Sequence, residues 1–537
     1  MTTKSIQTAF DTYQRARLAF TQSVSDMANR SVHINCILQC DALSLLHPLL
    51  KDPSIKVQQS AALAVGKLAN GSVDASNEIL RRRMLNTLME DIDKRSKYYK
   101  KSSMYTLRSV AKYSEDMAQS VVNVGAIEGI LLCLEDFDGG VKEAALLALG
   151  SIAKQSTNLA QACVSAGAIP MVKLCLQEPE VCMKQIAAAT MGDIVKHDAS
   201  LSQALCDAGC ISHLVRSLNH PNTSLKRQIL CTLGHIAKHS MPLAEIVVES
   251  DVISDVLLHL AHPDPIVRKN AANLIAELTK HHLQLAQLVV NSGCIGALLE
   301  MIASSEGEVI FPAILALGYI SSQSDATALA IINAKGIEIL AQIFDKEVGD
   351  HVLAVLAWTL SQIGKHSASH TEPIARLNLF NKLLELYLNP LSSQDLQTKC
   401  RVALKQTVRK CLHIPSLELM LQAAPPEILK YVLGQYSQIL PRNARARRLF
   451  VTSGSLKKVQ QIQAEPGSNL MEFINIINRC YPEEIIKYYT PGYSEELMKA
   501  VDRFVPMIPP VFIHEHDDPD DADLLDSLNL PQKPEIC

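Results

Sequence analysis

Metal or nucleophile chemistry would begin with cysteine and histidine, and the chain has 14 of the first and 17 of the second. Cys36/Cys40 and Cys206/Cys210 are C-x-x-x-C pairs, not the C-x-x-C of common zinc sites, and no second pair lies near either one. Cys133 and Cys175 stand 42 residues apart, as do His197, His239 and His281, and Cys210 and Cys294 stand at twice that interval. If the interval is a stacked structural unit, equivalent side chains lie about 8–10 Å apart and cannot share one metal ion. The chain has no Gly-rich phosphate loop, G-x-S-x-G elbow or H-E-x-x-H pair. The expectation is no catalytic site, no metal and no cofactor, with the cysteines packing a core.

Basic residues follow the same interval. Lys112, Lys154, Lys196, Lys238 and Lys280 fall at the ends of helical stretches, where the helix dipole favours cations. Lys100, Lys142, Lys184, Lys226 and Arg268 fall at the starts of the same stretches, where the dipole disfavours them. Three of these are doubled, by Lys101, Arg227 and Lys269. Something other than helix stability must keep them basic. The reading is an electropositive stripe along a concave face, facing an acidic partner strand or tail. A second basic cluster, Arg442, Arg445, Arg447 and Arg448, precedes the apolar Leu449-Phe450-Val451 and reads as an anion or interface contact.

The elements that position these residues come from the interval itself. Leu43, Leu85, Ile127, Ile169, Ile211, Ile253, Ile295, Ile337 and Leu379 are nine consecutive points of a 42-residue grid, all branched aliphatic. Pro53, Pro179, Pro221 and Pro263 share a second slot, and Gly66, Gly150, Gly192, Gly234 and Gly318 a third. Each unit reads as a short helix ending in a turn such as Gly125-Ala126-Ile127, a second helix, a Pro-containing turn, and a third helix of about 14 residues. In the third helix, Ala145, Leu149 and Ile152 recur at helical spacing. Arg83 and Asp251 replace the turn glycine in the second and sixth units. A three-helix unit of this size cannot bury its own face, so units must stack. The predicted fold is all-α: an armadillo-type right-handed superhelical solenoid with a C-terminal helical extension. Its parts are a helical cap at 1–40, the solenoid at 41–412, a helical region at 413–504, and an acidic, disordered tail at 505–537 around His516-Asp517-Asp518-Pro519-Asp520-Asp521.

Composition agrees. Of 537 residues, 48% are hydrophobic and 20% charged, too apolar for a disordered chain, and with 4% aromatics the core must be aliphatic. A net charge of −4 supplies no global field for nucleic acid. No run of about 18 apolar residues marks a membrane span, and the N-terminus lacks the apolar core of a signal peptide. The expected setting is therefore soluble, intracellular and reducing.

Several stretches carry a resemblance. They are Phe10-Asp11-Thr12-Tyr13-Gln14-Arg15-Ala16-Arg17, Leu134-Glu135-Asp136-Phe137-Asp138, Leu225-Lys226-Arg227-Gln228, and Ala357-Trp358-Thr359-Leu360. Beyond the repeats come Ala446-Arg447-Arg448-Leu449-Phe450-Val451-Thr452-Ser453-Gly454, Cys480-Tyr481-Pro482-Glu483-Glu484, and Tyr488-Tyr489-Thr490-Pro491-Gly492-Tyr493. Together they closely resemble the armadillo-repeat central-pair proteins of motile cilia and flagella, the sperm-associated antigen family, from about residue 6 to 504. The resemblance implies a structural scaffold of the axonemal central apparatus on the C1 microtubule, required for motility. It also implies self-association, contacts with tubulin and other central-apparatus proteins, and an axonemal location with a cytoplasmic pool. The tail after about Phe504 has no counterpart in the family. The alternative is a soluble armadillo adaptor binding acidic peptides. A nuclear-import-like adaptor would need a ladder of tryptophans along the third helices, and this chain has only Trp358.

Overall fold

The structure, a computed structural model, describes residues 3–503. The described residues fall into two compact units, the second beginning at Tyr436. The acidic tail at 505–537 lies outside the described residues. All regular structure among the described residues is helical.

The first unit opens with the 25-residue helix Thr3–Met27 and continues as three-helix repeats. The third repeat shows the plan: Glu115–Asn123, Ala126–Leu134 and Gly139–Ala153. Helix Ser31–Gln39, within the expected cap, holds the equivalent place before Ala42–Leu49 and Ile55–Gly71. The last regular repeat is Ala368–Arg376, Leu379–Leu388 and Gln394–Val408. Serines start many of the first helices at the 42-residue interval: Ser72, Ser114, Ser156 and Ser324 each accept a hydrogen bond from a backbone N–H of the first turn.

The bend between first and second helices depends on one residue. Gly125, Gly167, Gly209 and Gly293 sit there with φ of 77°, 91°, 67° and 86°. In four repeats the two helices turn through 77°, 80°, 74° and 75°. Where glycine is lost the conformation is kept: Arg83 and Asp251 have φ of 54° and 59°, and Asp41, Lys335 and Asn378 join them at 52°, 59° and 57°. Each non-glycine residue there costs roughly 1 kcal/mol or more. Burial of the two helices it joins offsets that cost.

Third helices pack on their neighbours in sequence, forming the continuous core. Ala145, Leu149 and Ile152 are fully buried, and of the nine grid aliphatics only Ile253 is partly exposed. The glycine slot marks where adjacent third helices come closest. A Cβ on Gly192 would stand 2.7 Å from Thr232 Oγ1, and one on Gly318 would stand 2.1 Å from Trp358 Cζ3. The register slips once, by a residue. Backbone carbonyls are reached from 44 residues away through most of the solenoid, as by Thr232 to Ala188, but from 45 residues away by Thr359 to Ile314.

The second unit is built around Phe450, fully buried, with Tyr436 at 4.6 Å and Tyr481 at 6.4 Å between ring centroids. Its helices Ala444–Thr452 and Ser455–Gln460 meet at Gly454, φ 78°, repeating the turn of the solenoid off its ruler. Among the described residues, no single helix is long and apolar enough to cross a membrane.

Candidate functional site

The five residues of the helix-start ladder are all half-buried, and they divide into two groups. Lys100 Nζ lies 2.8 Å from Asp136 Oδ2, with side chains only 13% and 16% exposed. Lys142 Nζ lies 2.7 Å from Glu178 Oε1. Each acid stands 36 residues after its lysine, in the turn that precedes the next repeat's third helix. Lys142 lines a cleft of about 380 Å³ with Glu178, Leu134, Leu174 and Cys175, so it faces the second helices. Neither lysine is therefore a free charge on the concave row, as the stripe required.

Lys184, Lys226 and Arg268 differ. The position 36 residues on is His220, His262 and Ser304 in turn, and none of the three cations has an ion-pair or hydrogen-bond partner among the described residues. Arg268 keeps its Nε buried without an acceptor. Next to Lys226 the rings of His259 and His262 stack at 5.9 Å, and burial lowers the pKa of both. An imidazole carries no negative charge in either protonation state, so neither ring counters Lys226.

The doubled positions explain why a cation persists against the helix dipole. Lys101 Nζ is 2.7 Å from Asp138 Oδ1, and Arg227 Nε donates to Asp264 Oδ1 at 3.0 Å. Asp138 and Asp264 cap the next repeat's third helices, accepting from Val141 N and from Ile266 N and Val267 N. Hydrogen bonds from the neighbouring cations hold both carboxyls well below the usual range, at about 2. The cation that one helix start disfavours is thus balanced by the acid that the next helix start favours. Lys269 has no such partner among the described residues.

Lys112, Lys154, Lys196 and Lys280 are the C-caps of third helices, and Lys238 lies in the last turn of one, which suits the dipole. The residue after each, joined further along by Gln323 and His366, forms a ladder that sequence reasoning missed. Tyr113, Gln155, His197, His239, His281, Gln323 and His366 each donate to a backbone carbonyl near the end of the preceding repeat's third helix. For the histidines at 197, 239 and 281 the acceptors are Ala153, Val195 and Ala237, at 2.8, 2.8 and 2.7 Å. These carbonyls have no intrahelical donor, so the ladder ties neighbouring repeats through helix ends. The signal was the interval, but the variety of side chains hid the shared role.

In the second unit the arginine cluster splits. Arg447 donates to the carbonyls of Leu440 and Pro441 at 2.8 and 3.1 Å, while Arg442, Arg445 and Arg448 are exposed. Of the cysteines, Cys133, Cys175, Cys210 and Cys294 are buried, and burial raises their thiol pKa values, to about 11 for the first three. Cys36 and Cys40 are exposed, which corrects core packing for that pair: they lie on the outer side of helix Ser31–Gln39 and just after it. Among the described residues, no three His, Cys, Asp or Glu side chains gather as a metal site.

Stacked three-helix units with a left-handed turn between the first two helices define an armadillo-repeat solenoid. The Armadillo/beta-catenin-like repeat family matches residues 198–238. The crystal structure of an engineered protein superposes with a TM-score of 0.63, covering 81% of this chain and 97% of that one, at 19% identity, which shows the fold. Sperm-associated antigen 6 of mouse and of human are each 52% identical to this chain over 168 residues. Those residues are 31% of this chain and 33% of either relative, so the match spans about a third of the curated relatives' length, less than residues 6–504. The fold is that of an armadillo-repeat solenoid, and about a third of the chain is similar to sperm-associated antigen 6.

Proposed function

We propose that this protein is a non-enzymatic structural scaffold of the axonemal central apparatus, associated with the C1 microtubule and required for ciliary and flagellar motility through protein–protein contacts. The observation that carries this reading is the 52% identity to sperm-associated antigen 6, set on a solenoid whose junctions are tied by charge and hydrogen bonds. Solenoids offer long surfaces to several partners at once. On this reading the partners are tubulin, other central-apparatus proteins and further copies of the chain, and the location is the axoneme with a cytoplasmic pool. Lys184, Lys226 and Arg268 of the helix-start ladder and the exposed Arg442, Arg445 and Arg448 are the surfaces we assign to partners. The parts 1–40, 41–412, 413–504 and 505–537 are taken as cap, solenoid, C-terminal helical region and tail.

Cryo-electron tomography of detergent-extracted axonemes carrying the tagged protein tests the reading. Density along one central microtubule with an axial repeat is expected. Complete release into the detergent-soluble fraction would replace the scaffold with the soluble-adaptor alternative.

A further inference from the structure

Thr490-Pro491 is the one place in the chain where a serine or threonine precedes proline. Proline disfavours helical backbone in the residue before it, so helix Glu483–Tyr489 ends there and Thr490 is extended, at φ −67° and ψ 133°. Thr490 is exposed, and its hydroxyl donates to the carbonyl of Ile486 at 2.9 Å. The flanking elements hold it loosely. Neither Glu483–Tyr489 nor the next helix, Tyr493–Arg503, has a buried residue. A segment with so little buried surface opens at low cost, and the residues on each side of Thr490 can straighten together. The threonines of the solenoid differ: Thr106, Thr190 and Thr232 are buried in the middle of third helices.

We propose that Thr490 is a phosphorylation site for a proline-directed serine/threonine kinase, and that the phosphate frays the end of helix Glu483–Tyr489. Such a kinase takes its substrate as an extended strand. A pocket with no acceptor for the next residue's N–H leaves every residue but proline with an unpaired donor. Thr490 Oγ1 attacks the γ-phosphorus of MgATP: the Oγ1–P bond forms, the bond from phosphorus to the β-phosphate oxygen breaks, ADP leaves, and the hydroxyl proton passes to the kinase's base. A dianionic phosphate has no proton to donate, so the bond to the Ile486 carbonyl is lost. Its charge also lies at the C-terminal end of Glu483–Tyr489, where the helix dipole disfavours an anion. The start of Tyr493–Arg503 follows closely, but Glu495 and Glu496 already occupy its first turn and repel further negative charge. Lys487, the nearest cation in sequence, is paired with Glu483 at 3.0 Å. This assignment goes beyond the scaffold reading and does not depend on it.

The test incubates the full chain with MgATP and an active, purified kinase of the mitogen-activated class, beside a synthetic peptide spanning residues 481–497. Mass spectrometry locates the phosphate. Thr490→Ala and Pro491→Ala are compared with the parent. The expected result in the parent is a mass gain of about 80 Da on Thr490, at a rate within about tenfold of the peptide's because opening costs little. Thr490→Ala should take up no phosphate in this segment, and Pro491→Ala should react about tenfold more slowly. The proposal is overturned if the peptide is not modified, if the full chain lags the peptide by more than that factor, or if Pro491→Ala reacts like the parent. Should Pro491→Ala change the helix content by circular dichroism, the same substitution in the peptide decides. Hydrogen exchange on the phosphorylated chain reads the consequence. Amides of residues 487–490 should exchange about fivefold faster than in the unmodified chain, and unchanged exchange overturns the fraying.

Discussion

His239 gives the sharpest test of how the repeats hold together. Its Nε2–H donates to the carbonyl of Val195 at 2.8 Å, and Val195 is the last residue of the third helix Val181–Val195. Replacing His239 with alanine removes this donor and leaves that carbonyl with the Ser202 hydroxyl alone, at 3.2 Å. A net hydrogen bond contributes about 0.5–1.5 kcal/mol, so His239→Ala should destabilise this junction by about 1 kcal/mol. Glutamine at the same slot already makes the bond elsewhere, from Gln155 to Ala111 at 2.9 Å and from Gln323 to Thr279 at 3.0 Å. His239→Gln should then cost little. Because each repeat contacts mainly its neighbours, the effect belongs to one junction and not to the whole array. Hydrogen exchange followed by mass spectrometry resolves it: amides near the end of Val181–Val195 should exchange about fivefold faster in His239→Ala and near the parent rate in His239→Gln. Equal acceleration in both variants would assign the slot to ring packing instead. No acceleration in either would show that the bond contributes nothing. The triple variant at His197, His239 and His281 should behave additively, since the bonds sit in separate junctions.

Two further outcomes test the turn and the helix start. Asp251→Gly should stabilise the protein by about 1 kcal/mol, because the residue holds φ 59° and glycine adopts it without strain, whereas Gly167→Ala, at φ 91°, should destabilise by a similar amount; opposite signs in chemical denaturation are required. Asp264→Asn keeps a capping oxygen but loses the charge paired with Arg227, at a cost of about 0.5–1 kcal/mol at pH 7. Because Arg227 lowers the folded-state pKa of Asp264 to about 2, that contribution is complete above the ordinary carboxylate range and fades as pH falls from about 4 toward 2. A difference between parent and variant that stays constant from pH 7 to pH 3 would rule out the ion pair as its source.

Much of the architecture was legible in the chain because a repeat multiplies weak signals. One Gly-Ala-Ile triplet says little, but nine aliphatics on a grid imply stacked units, and eight of the nine are buried. The lysine ladder at the third-helix ends was also readable, since helix dipoles act locally and need no knowledge of neighbours. The helix-start ladder was read only in part. Its persistence against the dipole was a correct anomaly, but the counter-charges lie 36 or 37 residues away, and only packing shows that this distance brings Lys142 onto Glu178. His197, His239 and His281 were noticed for their spacing and given no role, because a donor aimed at a carbonyl 44 residues back has no sequence signature.

Composition, period and caps by themselves determined that this chain is a row of three-helix units, because helix formation and apolar burial depend on residue type and near spacing. What only the tertiary structure decided is which charges are free. Ion pairs across a junction form or fail according to one side chain in the next repeat, an acid after Lys100 and Lys142 and a histidine after Lys184 and Lys226. Coulomb attraction falls with distance and is screened by water, so a pair contributes only when stacking brings its members within a few ångströms. That proximity is a property of the stack and not of any one repeat.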